Sequence, residues 1–108
     1  MSKIGLVTVL YKSDDVLEGF FRAISCQDYK SYCLYLIDNS VNNKTNELID
    51  SLLKKFPVTE YRHLKNDDNI GVAAGNNAGI KIALSEGCSH VLLLNNDIEI
   101  PQTFLFRS

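Results

Sequence analysis

The chain contains no apolar run approaching the roughly 18 residues that a helix needs to cross a bilayer. No leader is expected either, since Met1-Ser2-Lys3 runs directly into the strand-like Ile4–Leu10 with no small-residue cleavage site behind it. There is no excess of basic charge: 11 Lys and Arg stand against 13 Asp and Glu, a net charge of −2. No field of that sign draws in nucleic acid or anionic lipid. These absences predict a cytoplasmic protein that does not bind nucleic acid. Cysteine is scarce and unpatterned. Cys26, Cys33 and Cys88 are odd in number, form no CxxC pair and have no His at metal-ligand distance, so they are read as reduced, semi-buried thiols. Length is also lacking. The 108 residues make one domain, which buries about 65% of its unfolded surface and leaves no room for repeats or a separate catalytic lobe.

The residues that are present have the composition of a folded protein, 45% hydrophobic and 22% charged. Ile4-Gly5-Leu6-Val7-Thr8-Val9-Leu10 is a nearly continuous apolar run with several β-branched residues, the pattern of a strand buried on both faces of a parallel sheet. Ser13-Asp14-Asp15 then offers N-cap oxygens, and Leu17, Phe20, Phe21 and Ile24 form one helical face that should end near Cys26. A second buried strand, Tyr32–Ile37, closes on Asp38-Asn39-Ser40. Asn43 or Thr45 can cap a second helix with Ile49, Leu52, Leu53 and Phe56 inward, stopped by Pro57. Val58–Leu64 reads as a more exposed strand at a sheet edge. The glycine-rich stretch from Gly71 to Gly79 opens a third helix with Ile80, Ala83 and Leu84 as its face and Gly87 at C′. His90–Leu94 is a fourth strand, and Pro101 begins another helix. The order β-α-β-α-β-α-β predicts a three-layer α/β/α, Rossmann-like fold with a mainly parallel sheet and the first strand central.

Such sheets bind ligands beyond the carboxyl ends of their strands. Tyr11-Lys12, Asp38-Asn39, Asn66–Asn69 and Asn95-Asn96-Asp97 each come directly after a strand, so all four polar clusters fall on one edge. Singly, each is ordinary turn chemistry; together they predict a binding crevice. Asp97 comes after three leucines and suits a hard divalent cation, Mg²⁺ or Mn²⁺, whose remaining positions a diphosphate and water can fill, with Glu99 the nearest second carboxylate. The bland alternative is an Asn-Asn-Asp turn. Asp38 could accept hydrogen bonds from a pyrimidine imide or from ribose hydroxyls, or simply cap a turn. Glycines at 71, 75 and 79 match neither the dinucleotide pattern nor the P-loop. They either let an anion approach a helix start or let a helix pack close to the sheet. His63 and His90 have no Ser or Cys nucleophile beside them and are assigned to structure, as is the phenylalanine stripe.

Four segments resemble the N-terminal half of family 2 glycosyltransferases of the GT-A fold, especially the rhamnosyltransferase-like branch. They are Val7-Thr8-Val9-Leu10-Tyr11, Ile37-Asp38-Asn39-Ser40, Asn69-x-Gly71-x-x-x-Gly75-Asn76-Asn77-x-Gly79-Ile80 and Leu94-Asn95-Asn96-Asp97-Ile98-x-x-Pro101. The resemblance implies a nucleotide-binding half that takes a nucleoside-diphosphate sugar, with hexosyl or deoxyhexosyl transfer to a glycan or lipid-linked acceptor in polysaccharide biosynthesis. It places Thr8 and Tyr11 near the base, Asp38 on base or ribose, and Gly75-Asn76 beside the nucleotide. Asn95-Asn96-Asp97 is similar to the family's D-x-D motif, with Asn95 in place of the first Asp and Asp97 as the metal carboxylate.

The same resemblance implies that residues 1–108 are the donor-binding portion of a longer, truncated domain, peripheral to a membrane in its full-length form. The general base is then expected beyond Ser108, and the 108-residue chain should bind a nucleoside diphosphate weakly, in the range of roughly 10⁻⁴ M, and transfer no sugar. The fourth strand would keep an unpaired edge that could drive homodimerisation. The competing reading is a catalytically inactive nucleotide-binding or interaction module. A receiver-like phospho-acceptor domain fails for want of a fifth strand and its lysine.

Overall fold

The computed structural model describes residues 3–11, 14–39, 44–66 and 71–94. Seven elements alternate: β1 (Ile4–Leu10), α1 (Asp14–Ser25), β2 (Tyr32–Asp38), α2 (Lys44–Lys55), β3 (Tyr61–Lys65), α3 (Val72–Ser85) and β4 (His90–Leu93). The four strands form one parallel sheet in the order β3-β2-β1-β4, so β1 and β2 are interior and β3 lies at an edge as expected.

Alternation along the two interior strands sends side chains to opposite layers. Ile4, Leu6 and Leu10 of β1 and Tyr32, Leu34 and Leu36 of β2 join one core with Leu17, Phe20, Phe21 and Ile24 of α1 and Ile49 and Leu52 of α2. Val7, Cys33, Tyr35 and Ile37 form the other, against Ala83 of α3 and Cys88. Each large side chain fully buried this way contributes about 1.5–3 kcal/mol of transfer free energy. Both interior strands are therefore apolar on both faces.

The two cores use different materials. The α1/α2 layer is built from bulky residues at helical spacing. The α3 layer meets the sheet through Gly75, Gly79 and Ala83, four residues apart. A Cβ on Gly75 would stand 2.9 Å from Val9 Cγ2, and one on Gly79 would collide with Val7. The glycine spacing thus lets the backbone of α3 lie directly on two valines, so of the two roles open to these glycines the structure shows close packing. It also corrects the expected face: Leu84 is exposed, because the contact stripe runs through the small residues instead.

Four further expectations are corrected. β3 begins at Tyr61 rather than Val58. Val58 is diverted into the α1/α2 core and the Thr59 amide donates to the Tyr32 hydroxyl, so pairing resumes only where the Leu34 amide takes the Glu60 carbonyl. β4 stops at Leu93, one residue early. Thr45 lies inside α2 and donates its hydroxyl to Asp14 Oδ1 at 2.8 Å, tying the starts of α1 and α2 together instead of capping. Cys26 is exposed, whereas Cys33 and Cys88 are buried. Gly87 does occupy the C′ position, with φ of 90°. Ser13, Asn43 and the helix expected from Pro101 lie outside the described residues.

The amino ends of the strands carry an ion-pair ladder. Lys3 Nζ lies 3.0 Å from Glu60 Oε1, Arg62 Nη2 3.1 Å from Glu60 Oε2, and Arg62 Nε 3.3 Å from Glu86 Oε2. The buried Tyr35 hydroxyl donates to Glu86 Oε1 at 2.7 Å and lies 3.7 Å from Cys88 Sγ. Burial first, then these hydrogen bonds, push the Tyr35 hydroxyl far above its ordinary value. The hydrogen bond from Tyr35, helped by the Arg62 charge, lowers Glu86 against an opposing cost of burial. Burial pushes the Cys33 thiol up.

Candidate functional site

Because the sheet is parallel, the residues that leave each strand at its carboxyl end share one edge. Three ladder-like backbone bonds, each 2.8 Å, extend the sheet into that edge: Asn39 N to Leu10 O, Asn66 N to Asp38 O, and Leu94 N to Val7 O. Among the described residues, Tyr11, Asp38-Asn39 and Asn66 of the clusters expected after strands one, two and three thereby come together at this edge.

Side chains then stitch the edge together. Asn39, 1% exposed, donates from Nδ2 to the Gly71 carbonyl at 3.3 Å and accepts from Asn66 Nδ2 at 2.6 Å. One amide thus joins the end of β2, the segment after β3 and the start of α3. Gly71 has φ of 88°, a conformation open to glycine and costly for other residues, and α3 starts there without a side-chain cap. The Thr8 hydroxyl, fully buried, donates to the Leu94 carbonyl at 2.8 Å and holds the exit of β4 against β1.

Asp38 is the last residue of β2 and has no exposed surface. A carboxylate out of water needs partners, since its desolvation otherwise costs several kcal/mol. His63 Nε2 lies 2.8 Å from Asp38 Oδ2, and Lys65 Nζ 3.8 Å from the same oxygen. These two side chains both come from β3.

The residues singled out in the sequence take different places around this edge. Thr8 and Asp38 are buried at it, Tyr11 is exposed where the chain leaves β1, and Asn76 is half-buried in the second turn of α3. Gly75 is in α3 with its Cα turned onto Val9 and Ile37. Asn95, Asn96, Asp97 and Glu99 lie outside the described residues. Among the described residues no group of three or more His, Cys, Asp or Glu is placed to hold a metal ion. No helix among them is long and apolar enough to cross a membrane.

Two participants are not evident from residue order alone. Asn39 reads there only as part of a polar turn, although an amide directly after a fully buried strand is well placed to bridge its neighbours. His63 reads as structural, although in a strand it shares a face with Lys65, two residues on. Two side chains able to carry positive charge on one face of a strand are the available signal for a buried carboxylate alongside.

No curated protein matches the chain. Among solved structures it is similar to S. aureus TarS, with a TM-score of 0.71 and 16% identity over 97% of this chain and 18% of that one. It is also similar to S. aureus TarS 1–349 in complex with UDP, with a TM-score of 0.72 and 16% identity over 97% of this chain and 30% of that one. A further structure of S. aureus TarS 1–349 gives a TM-score of 0.70 and 15% identity over 97% of this chain and 30% of that one. At that identity the likeness establishes a shared fold, and the chain spans less than a third of each of these three structures. The family model described as glycosyl transferase family 2 matches residues 6–107, and with the polar carboxyl edge and the four motif segments inside that span, the chain belongs to glycosyl transferase family 2.

Proposed function

We propose that this chain binds the donor nucleotide of a glycosyltransferase, holding a nucleoside diphosphate sugar at the carboxyl edge of its sheet for transfer to a glycan or lipid-linked acceptor. The observation that carries the reading is the buried Asp38 carboxylate at the end of β2, held by His63 and Lys65 and followed directly by Asn39, whose amide is bonded to the start of α3 and to Asn66. Family membership supports glycosyl transfer, and the UDP in the TarS complex supports a uridine nucleotide as the first candidate.

On this reading the base or ribose donates to Asp38, with Thr8 and Tyr11 close to the base. Gly75 and Asn76, in the first turns of α3, stand beside the nucleotide, and Asn95 and Asn96 belong to the same binding set. Asp97 would hold a divalent cation, Mg²⁺ or Mn²⁺, whose charge neutralises the leaving diphosphate when bound. The protein's own contribution is positional. Because the Asp38 carboxylate has no exposed surface, a nucleotide meets it only where covering atoms give way, and a carboxylate already desolvated then strongly prefers a base edge that can donate.

Isothermal titration with uridine, guanosine, adenosine, cytidine and thymidine diphosphates, each with and without Mn²⁺, tests the proposal. Saturable binding of one nucleotide, strengthened by Mn²⁺ and lost in Asp38→Asn, is the expected result. Absence of binding across the panel would overturn it.

A further inference from the structure

The carboxylate at the end of β2 is held by a side chain from the neighbouring strand. In the β2–β3 register Leu36 is opposite His63 and Asp38 is opposite Lys65, so the imidazole reaches one step diagonally along the ladder to meet Asp38. Its Nε2 lies 2.8 Å from Oδ2. The His63 side chain is 19% exposed, Lys65 33% and Asp38 not at all, which makes the imidazole the more enclosed of the two partners.

The two partners differ in the interaction each supplies. A carboxylate only accepts, so the His63 nitrogen facing it carries a proton and donates. The ammonium of Lys65, at 3.8 Å on a flexible stem, supplies charge with little direction. The planar imidazole at hydrogen-bonding distance supplies direction. That matters because the terminal torsion of an aspartate is broad, and burial alone does not choose the plane of its carboxyl group.

We propose that His63 is a positioning residue for the nucleotide: it fixes the plane of the Asp38 carboxylate, so that a donor group of the bound base or ribose meets it in one orientation. The inference rests on the proposed contact between Asp38 and the nucleotide. It predicts that His63 affects the nucleoside part of the ligand and leaves the diphosphate part alone. A role confined to stabilising a buried charge would weaken both parts equally.

The test is titration of the purified protein and its His63→Phe, His63→Gln and Asp38→Asn variants with uridine diphosphate and with inorganic diphosphate, both in Mn²⁺. Thermal unfolding recorded alongside confirms that each variant is folded at the titration temperature. His63→Phe keeps the ring and loses the donor, and should weaken uridine diphosphate by about tenfold, the scale of one charge-assisted hydrogen bond. Inorganic diphosphate should bind it as it binds the wild type. His63→Gln, whose Nε2 can reach the same oxygen, should recover most of the loss. Should His63→Phe not fold, His63→Asn, whose amide is too short to reach Asp38, gives the same comparison. In the wild type, the His63 Nε2 nuclear magnetic resonance should shift on addition of uridine diphosphate and stay in place on addition of inorganic diphosphate. Wild-type uridine diphosphate affinity in His63→Phe together with loss in Asp38→Asn would overturn the role of His63 and leave the proposed function standing. Equal weakening of both ligands would also overturn it. Failure of the wild type to bind any nucleoside diphosphate would instead overturn the proposed function.

Discussion

The two ends of the sheet handle polar groups in opposite ways. At the carboxyl ends, Thr8, Asp38 and Asn39 are taken almost wholly out of water and satisfied by directed hydrogen bonds. At the amino ends, Lys3, Glu60, Arg62 and Glu86 pair on the surface, above the buried Tyr35 and beside the buried Tyr32, whose hydroxyl donates to the Ile24 carbonyl. Exposed pairs contribute about 0–1 kcal/mol each, whereas a buried polar group that loses its partner costs about 1–3 kcal/mol. The chain therefore places a buried carboxylate and a buried bridging amide at the proposed nucleotide edge, and closes the other edge with weakly coupled surface charge over buried tyrosine hydroxyls.

Substitutions at the two ends should separate by size. Asp38→Ala should be the most damaging, lowering stability in urea by about 2 kcal/mol, because it leaves a cavity and removes the shared partner of His63 and Lys65. Asn39→Ala should cost nearly as much, about 1.5 kcal/mol, and should free the start of α3, seen as faster amide exchange in its first turns. Thr8→Val, close in shape, should cost about 1 kcal/mol by leaving the Leu94 carbonyl short of a donor. Arg62→Ala should change stability by less than about 0.5 kcal/mol at moderate salt. If Arg62→Ala matched Asn39→Ala, the contrast between the two ends would collapse.

The exception beneath the ladder sharpens the comparison through pH. Tyr35 keeps its proton in the folded chain far above the ordinary tyrosine value of about 10, while the unfolded chain loses it there. Its stabilising contribution is complete below that pH and declines as pH rises further, by up to about 1.4 kcal/mol per pH unit. Tyr35→Phe should flatten this alkaline decline. Glu86 has the opposite sign. Its lowered carboxyl contributes above the ordinary carboxylate range and stops contributing as pH falls through its folded value, so Glu86→Gln should remove a small part of the acid sensitivity.

The architecture is readable from residue order because β1 and β2 are buried on both faces, and continuous apolar runs alternating with amphipathic helices leave few topologies. The polar edge comes with it, since a parallel sheet gathers the loops that leave its strands at one end. Partners across the edge are not readable. That Asp38 meets His63 depends on the register between β2 and β3, which no local pattern in Val58–Leu64 declares. The face of α3 misleads for a related reason: Ile80, Ala83 and Leu84 match a helical stripe, but the close approach at Gly75 and Gly79 rotates that stripe away from Leu84. Asp97 and its neighbours stand outside the described residues, and their chemistry rests on the proposal.

The strand order has a consequence in time. Ile4 pairs with Tyr32 on one side and with His90 on the other. As a chain is made from its amino end, β1 can find β2 early, but its second neighbour, and the Leu94 carbonyl that Thr8 holds 86 positions away, arrive much later. Contacts of such long sequence separation form slowly. Until they do, one flank of β1 offers unpaired amides and carbonyls between Ile4 and Val7 to any other nascent strand. The covering of that flank by β4 is thus the step that ends the exposure of β1 to mispairing, and the Thr8 hydroxyl is the latch that registers its completion.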